Sequence, residues 1–125
     1  MYRTLIVEEN SAFLQTFKRL LHRHFPWMTV MEAGNGFEAF RKVEVYRPEL
    51  VFIDMRLGET SGLELTERIK TSRPETLVVV LTDYDFPEYQ EAAYHGGADR
   101  FIAKGSLDLS VIGAMVKAPI GESAE

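Results

Sequence analysis

The sequence predicts an α/β fold in which one parallel sheet of five strands is covered by helices on both faces. Five short apolar runs rich in β-branched residues have the composition of buried strands. They alternate with five segments whose apolar residues recur at helical spacing. Repeated strand–helix units build a parallel sheet through right-handed crossovers. The common solution for this number of units is the flavodoxin-like (βα)5 arrangement, with strand order 2-1-3-4-5.

The alternation places each element in order along the chain. The predicted strands are Leu5–Val7, Met28–Met31, Leu50–Ile53, Leu77–Leu81 and Phe101–Ala103. The predicted helices are Ser11–His24, Phe37–Tyr46, Leu63–Ile69, Glu88–His95 and Leu107–Val116. In the first helix, Phe13, Phe17 and Leu21 belong to one apolar stripe, which we expect to pack on the sheet.

Capping residues and prolines mark the ends of these helices. Asn10 or Ser11 can cap the first helix, and Ser61 the third. Residues 85–88, Asp-Phe-Pro-Glu, resemble a capping box with a proline in the first turn. Pro26, Pro48 and Pro74 each follow a helical segment, and Gly96-Gly97 ends the fourth helix.

Composition and charge limit the possible functions. The 125 residues suffice for one domain, which we expect at 1–118, with a polar tail or the start of a linker at 119–125. A net charge of −5, with no Lys/Arg run longer than two, argues against direct nucleic-acid binding. The lack of cysteine excludes disulfides and thiol catalysis. With no signal-peptide pattern and no apolar run of membrane-spanning length, we expect a cytoplasmic domain that does not enter membranes.

Polar side chains follow four of the predicted strands. Glu8 and Glu9 end the first strand, Asp54 the third, Thr82 the fourth and Lys104 the fifth. Because sites in open parallel sheets form outside the carboxyl ends of the strands, we expect these side chains to meet in one crevice. Read one at a time, each side chain has an ordinary structural explanation, such as a solvated loop charge or a helix cap.

Together, these residues include every type of side chain that acceptance of a phosphoryl group requires. Clustered carboxylates are stable only beside a cation, and oxygen ligands favour Mg²⁺. A carboxylate such as Asp54 can attack phosphorus to give an aspartyl phosphate. A metal ion and Lys104 would stabilise the charge on the transferring group, and Thr82 can donate a hydrogen bond to it.

The chain resembles the receiver domain of two-component response regulators over residues 2 to about 117. The matching runs are LIVEEN (5–10), AGNGFEA (33–39), PELVFIDMRL (48–57), SGLEL (61–65), VLT (80–82) and GADRFIAK (97–104). The resemblance implies that Asp54 is the phosphoacceptor and takes its phosphoryl group from a sensor histidine kinase. It also implies that Glu8, Glu9, Asp54 and the carbonyl of Arg56 hold Mg²⁺. Such a domain is a switch rather than an enzyme, and assists only its own phosphorylation and dephosphorylation.

The resemblance implies a switching mechanism as well. Thr82 would move toward the phosphoryl oxygen, Lys104 would pair with it, and Phe101 would turn inward as the aromatic switch residue. This would reshape the surface of the fourth helix, fifth strand and fifth helix, where receivers dimerise or meet partners. Lys104-Gly105-Ser106 is similar to receivers of LuxR-type regulators, in which a C-terminal DNA-binding effector domain follows; many other receivers have a cis proline at Gly105.

The sequence departs from the family pattern at several places. Glu9 stands where the direct metal ligand is usually aspartate, so we expect weak Mg²⁺ affinity. Gly58 replaces a usual proline, which predicts a looser loop after Asp54. Asp83 adds a negative charge after Thr82, and we expect it to slow phosphorylation if it faces the site. Arg56 and Tyr84 flank the path of attacking water and are expected to slow hydrolysis.

Two other interpretations stay open. A degenerate receiver would keep the fold and act as a protein-interaction module without phosphorylation. A dinucleotide-binding fold is indicated by GNGFEA at 34–39, which fits G-x-G-x-x-A, with Asp54 twenty residues beyond Gly34. That interpretation leaves the other strand-end residues unexplained. A phosphatase with Asp54 as nucleophile would need a second acid at the position of Arg56.

Overall fold

A single parallel sheet of five strands forms the centre of the molecule. The structure, a computed structural model, describes residues 1–116. The strands are β1 (Tyr2–Val7), β2 (Met28–Ala33), β3 (Leu50–Asp54), β4 (Leu77–Thr82) and β5 (Arg100–Ala103), and they pair in the order β2-β1-β3-β4-β5. All four pairings are parallel. The predicted flavodoxin-like (βα)5 fold is confirmed.

The five predicted helices are all present. They are α1 (Ser11–His24), α2 (Gly36–Tyr46), α3 (Gly62–Ser72), α4 (Pro87–His95) and α5 (Leu109–Met115). A short 3-10 turn at Lys104–Ser106 and a small antiparallel hairpin, Arg56–Leu57 with Thr60–Ser61, were not predicted. None of the helices in residues 1–116 has the length and hydropathy needed to cross a bilayer.

The helix starts follow the predicted capping in two cases and differ in a third. The Asn10 side chain accepts a hydrogen bond from the Phe13 amide at 3.1 Å, and Ser61 accepts from the amide of Leu63. The capping box predicted at 85–88 is wrong, because Phe86 holds the cap position and has no side-chain oxygen to accept a bond. Pro87 does begin α4, where its missing N–H costs nothing.

The core lies on both faces of the sheet, because successive side chains of a strand point to opposite sides. In β3, which is buried along its whole length, Val51 and Ile53 join the core beneath α2, α3 and α4. Leu50 and Phe52 join the core beneath α1 and α5. Helices therefore cover both faces, and the site residues at the strand ends stand on a rigid base. The predicted domain boundary at residue 118 and the tail at 119–125 lie outside the described residues.

Candidate functional site

The carboxyl edge of the sheet brings together the side chains that follow β1, β3, β4 and β5. Asp54 is the last residue of β3 and is 5% exposed. Lys104 Nζ lies 3.3 Å from Asp54 Oδ2 and 2.8 Å from Glu8 Oε1. Thr82, the last residue of β4, lines the same cavity as Asp54. The predicted convergence of these four residues is what parallel strands with aligned ends produce.

Lys104 is the centre of the cluster. In addition to Glu8 and Asp54, it has a third carboxylate nearby, since Asp83 Oδ1 lies 3.8 Å from its Nζ. Asp83 is far more exposed, with 60% of its side chain accessible, so solvent screens that contact. Asp83 therefore faces the site, and the prediction that its charge slows phosphorylation applies to it.

Burial and the crowding of carboxylates shift the proton affinities of this cluster. Burial, together with the neighbouring Asp54 carboxylate, raises the pKa of Glu8 to about 7, although Lys104 and the Asn10 amide act in the opposite direction. Burial alone would lower the pKa of Lys104, but its contacts with Glu8 and Asp54 outweigh this, so that pKa is raised above the usual value. Lys104 therefore stays an ammonium ion at neutral pH.

Glu8 carries the clearest sign that a cation belongs here. It is only 2% exposed, and its Oε2 accepts a hydrogen bond from the Asn10 amide at 3.1 Å. Oε1 is buried, and its positive partner is Lys104 Nζ at 2.8 Å, which also pairs with Asp54 at 3.3 Å. Two buried carboxylates thus share one ammonium, and a further cation would compensate the second negative charge.

Glu9 points elsewhere than Glu8. It is exposed and lines a cavity of about 660 Å³ whose wall also includes Asp54 and Arg56. Within residues 1–116, no three carboxylate or histidine side chains lie close enough to hold a metal on their own. Mg²⁺ needs only one or two carboxylates, with carbonyl oxygens and waters completing its shell, so this oxygen-only set fits it. The individual ligands, Glu8, Glu9, Asp54 and the Arg56 carbonyl, stay predictions.

The predicted switch residues occupy separate places. The Thr82 hydroxyl donates to the Tyr84 carbonyl at 2.9 Å and accepts from the Tyr84 amide at 3.1 Å. It is thus held in the β4–α4 turn, not on Asp54. Phe101 is half-buried against the core beneath α2, α3 and α4, and also lines a separate hollow of about 290 Å³ between β5 and α5. Their switching roles stay predictions.

The loop after Asp54 needs its glycines. Gly58 has φ of +62°, a conformation that the proline usual at this place cannot adopt, since its φ is fixed near −65°. Gly62 approaches the Asp54 backbone so closely that a Cβ there would lie 2.9 Å from Met55 Cα. Residues 56–61 form the small hairpin, and the amide of Gly62, at the start of α3, donates to the carbonyl of Met55, the residue after β3, at 2.9 Å. The looser loop expected from Gly58 stays a prediction.

The glycine motif at 34–39 has a structural explanation. The Asn35 side chain accepts from the Glu38 amide at 2.8 Å, and Glu38 Oε1 accepts from the Gly34 amide at 2.9 Å. The motif thus satisfies its own orphan amides at the start of α2. Asp54 also ends β3, which β1 separates from β2. The dinucleotide-binding interpretation is therefore not supported.

Arg56 and Tyr84 also line the cavity that contains Asp54. The Arg56 guanidinium lies 5.8 Å from the ring of Tyr84, and Tyr84 stacks on Phe86 with ring centroids 6.1 Å apart. Tyr84 and Phe86 are about half exposed, at 52% and 49%. The chemistry of the cavity is therefore ionic at its base and aromatic at its rim.

Comparison with known proteins decides the family. The family model for the response regulator receiver domain matches residues 4–117, almost all of the chain. The chain belongs to the response regulator receiver domain family. This receiver domain is 33% identical over 122 residues to the oxygen regulatory protein NreC of Staphylococcus epidermidis, covering 95% of this chain and 56% of NreC. The chain thus spans about half the length of the curated relatives it matches.

Solved structures share the fold of this receiver domain. A response regulator from Burkholderia pseudomallei, with a phosphorylated aspartic acid, a calcium ion and citrate, matches with a TM-score of 0.83 at 28% identity, covering 94% of this chain and 68% of that one. A LuxR-family response regulator from Aurantimonas sp. SI85-9A1 matches with a TM-score of 0.83 at 24% identity, covering 90% and 81%. The latter match shows the shared fold. The Lys104–Gly105 peptide bond is trans, whereas many receivers have a cis bond at this place.

The sequence interpretation assigned Phe13 to the core, but the structure also places it at the site. Its ring centroid lies 4.6 Å from Lys104 Nζ. Asn10 was also predicted only as a cap, yet its amide binds Glu8. Asn10 is the N-cap residue of α1 and Phe13 lies in the first turn of that helix, directly after the acidic end of β1. Their position next to the carboxyl edge of the sheet was the signal that could have assigned them to the site.

Proposed function

We propose that this receiver domain accepts a phosphoryl group on the Asp54 carboxylate and uses it to switch a protein-interaction surface. The observation that carries the proposal is the buried ion pair between Asp54 Oδ2 and Lys104 Nζ at 3.3 Å, at the base of an open cavity. A nucleophilic carboxylate needs a fixed cation beside it when negative charge accumulates on the transferring group. The ion pair provides that arrangement before any donor binds.

The transfer needs one bond to break and one to form. A phosphohistidine of a sensor kinase, or a small donor such as acetyl phosphate, approaches through the cavity. An Asp54 oxygen forms a bond to phosphorus as the bond from phosphorus to the donor's nitrogen or oxygen breaks, and the leaving group keeps that electron pair. Lys104, already on Asp54, pairs with a phosphoryl oxygen. The Thr82 hydroxyl, once released from Tyr84, donates to another.

Bound Mg²⁺ would supply charge neutralisation for the phosphoryl oxygens. Glu8, Glu9, Asp54 and the Arg56 carbonyl are the groups that would hold it. Because glutamate replaces aspartate at Glu9, we expect weak affinity for this strictly octahedral ion. The Burkholderia regulator contains a phosphorylated aspartic acid and a calcium ion, which supports a divalent cation in the proposed chemistry.

The output of the domain would pass through α4, β5 and α5. Movement of Thr82 toward the phosphoryl group would break its bond to the Tyr84 carbonyl and free the β4–α4 turn. Phe101 lines the hollow between β5 and α5, and we propose that its ring turns inward as Thr82 moves. We propose that this surface forms a homodimer or contacts a C-terminal effector domain, as in longer regulators. A sensor histidine kinase would be the upstream partner, and the domain would work in the cytoplasm without contacting nucleic acid itself.

One observation favours the alternative, a degenerate receiver that binds partners without phosphorylation. Lys104 lies closer to Glu8, at 2.8 Å, than to Asp54, at 3.3 Å. A lysine held by Glu8 is less available to a phosphoryl oxygen. A degenerate receiver would have the same fold and the same α4–β5–α5 surface, but it would not be phosphorylated on Asp54.

Intact-mass measurement separates the two functions. The chain would be incubated with acetyl phosphate and Mg²⁺, with Asp54→Asn as the matched control. We expect the wild type to gain one phosphoryl group, and expect no gain in the variant or without the metal ion. A wild-type chain that folds and gains nothing would leave the degenerate receiver as the function.

A further inference from the structure

The Lys104 ammonium has an aromatic neighbour that the proposed chemistry does not use. Its carboxylate contacts are Glu8, Asp54 and Asp83. The Phe13 ring centroid lies 4.6 Å from Nζ, well within the distance at which a ring face attracts a cation. Only 11% of the Lys104 side chain is exposed. Carboxylates and a ring thus take places around the ammonium that water would otherwise fill.

Packing alone does not explain an aromatic residue at this position. The buried residues of α1 are Leu14, Phe17 and Leu21, whereas Phe13 is half-buried at the edge of that stripe. It touches the core through Phe17, with ring centroids 5.6 Å apart. A leucine would fill the same edge of the core, but only a ring face attracts the ammonium.

Lys104 needs such a support. Its four-carbon stem is flexible, and its ammonium is strongly hydrated when water can reach it. Of the three carboxylates, Asp83 is on the exposed side and would draw the ammonium outward, away from Asp54. We propose that Phe13 is a positioning residue, whose ring holds the Lys104 ammonium over Glu8 and Asp54 and keeps water from it. This role rests on the proposed function of Lys104 in phosphoryl transfer.

The first test compares rates of phosphorylation by acetyl phosphate in three variants. Phe13→Leu keeps apolar volume and removes the ring, and should slow the reaction roughly three- to tenfold. Phe13→Tyr keeps the ring face and should react at close to the wild-type rate. Phe37→Leu is the matched control, because Phe37 is the same residue type, is 78% exposed and stands on α2 away from Lys104. Equal rates in Phe13→Leu and wild type would overturn the proposal.

The second test needs no phosphorylation. In NMR spectra of the unphosphorylated chain, the ring should move the Lys104 ε-methylene protons upfield. Phe13→Tyr should keep this shift, and Phe13→Leu should lose it. If Phe13 only fills space, Phe13→Leu would lower the urea midpoint while the rate stays unchanged, which refutes the proposal. If the wild type accepts no phosphoryl group but the upfield shift is present, the proposed function fails while the contact between Phe13 and Lys104 stands.

Discussion

Two groups of side chains around the cavity at Asp54 differ in how they are built. The ionic wall is Asp54, which lines the cavity, with Glu8 and Lys104, which pair with each other and with Asp54 behind it; these side chains lie at or next to strand ends and are nearly fully buried. The aromatic wall is Arg56 and Tyr84, which line the cavity, with Phe86 stacked on Tyr84; it stands on the loops after β3 and β4, and its rings are about half exposed. The ionic wall is therefore fixed by the sheet, and the aromatic wall by loops.

Because of this difference, we expect the ionic wall to carry the chemistry at Asp54 and the aromatic wall to control access to it. Charges buried at the end of a rigid sheet interact strongly, because little water screens them. Exposed rings on loops contribute little to stability, but we expect them to control which molecules reach Asp54. Substitutions in the ionic wall should thus cost both folding free energy and reactivity, whereas those in the aromatic wall should change reactivity alone.

The largest effect is expected from removing the cation. Lys104→Met leaves Glu8 and Asp54 buried beside each other without a partner, and should lower the free energy of unfolding by about 3 kcal/mol in urea titrations. Lys18→Met is the matched control, because Lys18 pairs with Glu32 at 2.6 Å but both side chains are about a third exposed. The control should lose less than about 1 kcal/mol. Similar losses of unfolding free energy in both variants would contradict the claim that the buried ionic wall stabilises the fold more than an exposed ion pair does.

The pH dependence of stability should report Glu8. Its pKa rises from 4.5 in the unfolded chain to about 7 in the folded one, so the folded state binds the proton more tightly. The stability that tighter proton binding gives the folded chain is fully present below pH 4.5, the pKa of Glu8 in the unfolded chain. It is lost as the pH rises through about 7, the pKa of Glu8 in the folded chain. We expect a loss of about 3 kcal/mol in metal-free buffer, seen as the difference in free energy of unfolding between wild type and Glu8→Gln in urea titrations. A difference that does not vary with pH would contradict it.

A smaller effect on folding, but a clear one on reactivity, is expected at the aromatic wall. Tyr84→Ala should lower the free energy of unfolding by about 1 kcal/mol or less. It should also shorten the lifetime of the phosphoryl group, because Tyr84 lines the cavity at Asp54 and its removal would open that cavity further to water. The loss of phosphoryl mass after donor removal would measure this, with Tyr46→Ala, an exposed tyrosine at the end of α2, as control. Equal phosphoryl lifetimes in Tyr84→Ala and wild type would show that the aromatic wall does not limit the access of water to Asp54.

The smallest effect is expected where the two walls meet. Asp83 is exposed and lies 3.8 Å from Lys104, so Asp83→Ala should change the free energy of unfolding by no more than about 0.5 kcal/mol. Removing its charge should raise the rate of phosphorylation by acetyl phosphate roughly twofold, because it repels the donor and draws on Lys104. Glu75→Ala, at the opposite end of β4, should leave the rate unchanged. A slower reaction in Asp83→Ala would reverse the role assigned to that charge.

Strand-end residues were the most predictable part of the site. Apolar runs locate the strands, and the rule for parallel sheets then brings Asp54, Thr82 and Lys104 to one edge without any knowledge of packing. The helix starts were less predictable. Asn35 caps α2 as part of a glycine motif with another possible meaning, and Phe86 caps α4 without a polar side chain.

Side-chain directions were beyond sequence reasoning. Glu8 and Glu9 are neighbours of one type, yet one is buried on Lys104 and the other faces the cavity from its exposed rim. Their difference depends on how the chain turns after β1, which no spacing rule describes. The contact between Phe13 and Lys104 joins α1 to the end of β5, and such a long-range contact arises only once the sheet has formed.

The measurement that tests the central claim most directly is the location of the phosphoryl group. After reaction with acetyl phosphate and Mg²⁺, borohydride reduces an aspartyl phosphate to the alcohol, and peptide mass spectrometry identifies the altered residue. We expect reduction at Asp54, with Asp83 unchanged although it is far more exposed. Reduction at Asp83, or at any residue other than Asp54, would contradict the claim that the buried ionic wall performs the chemistry.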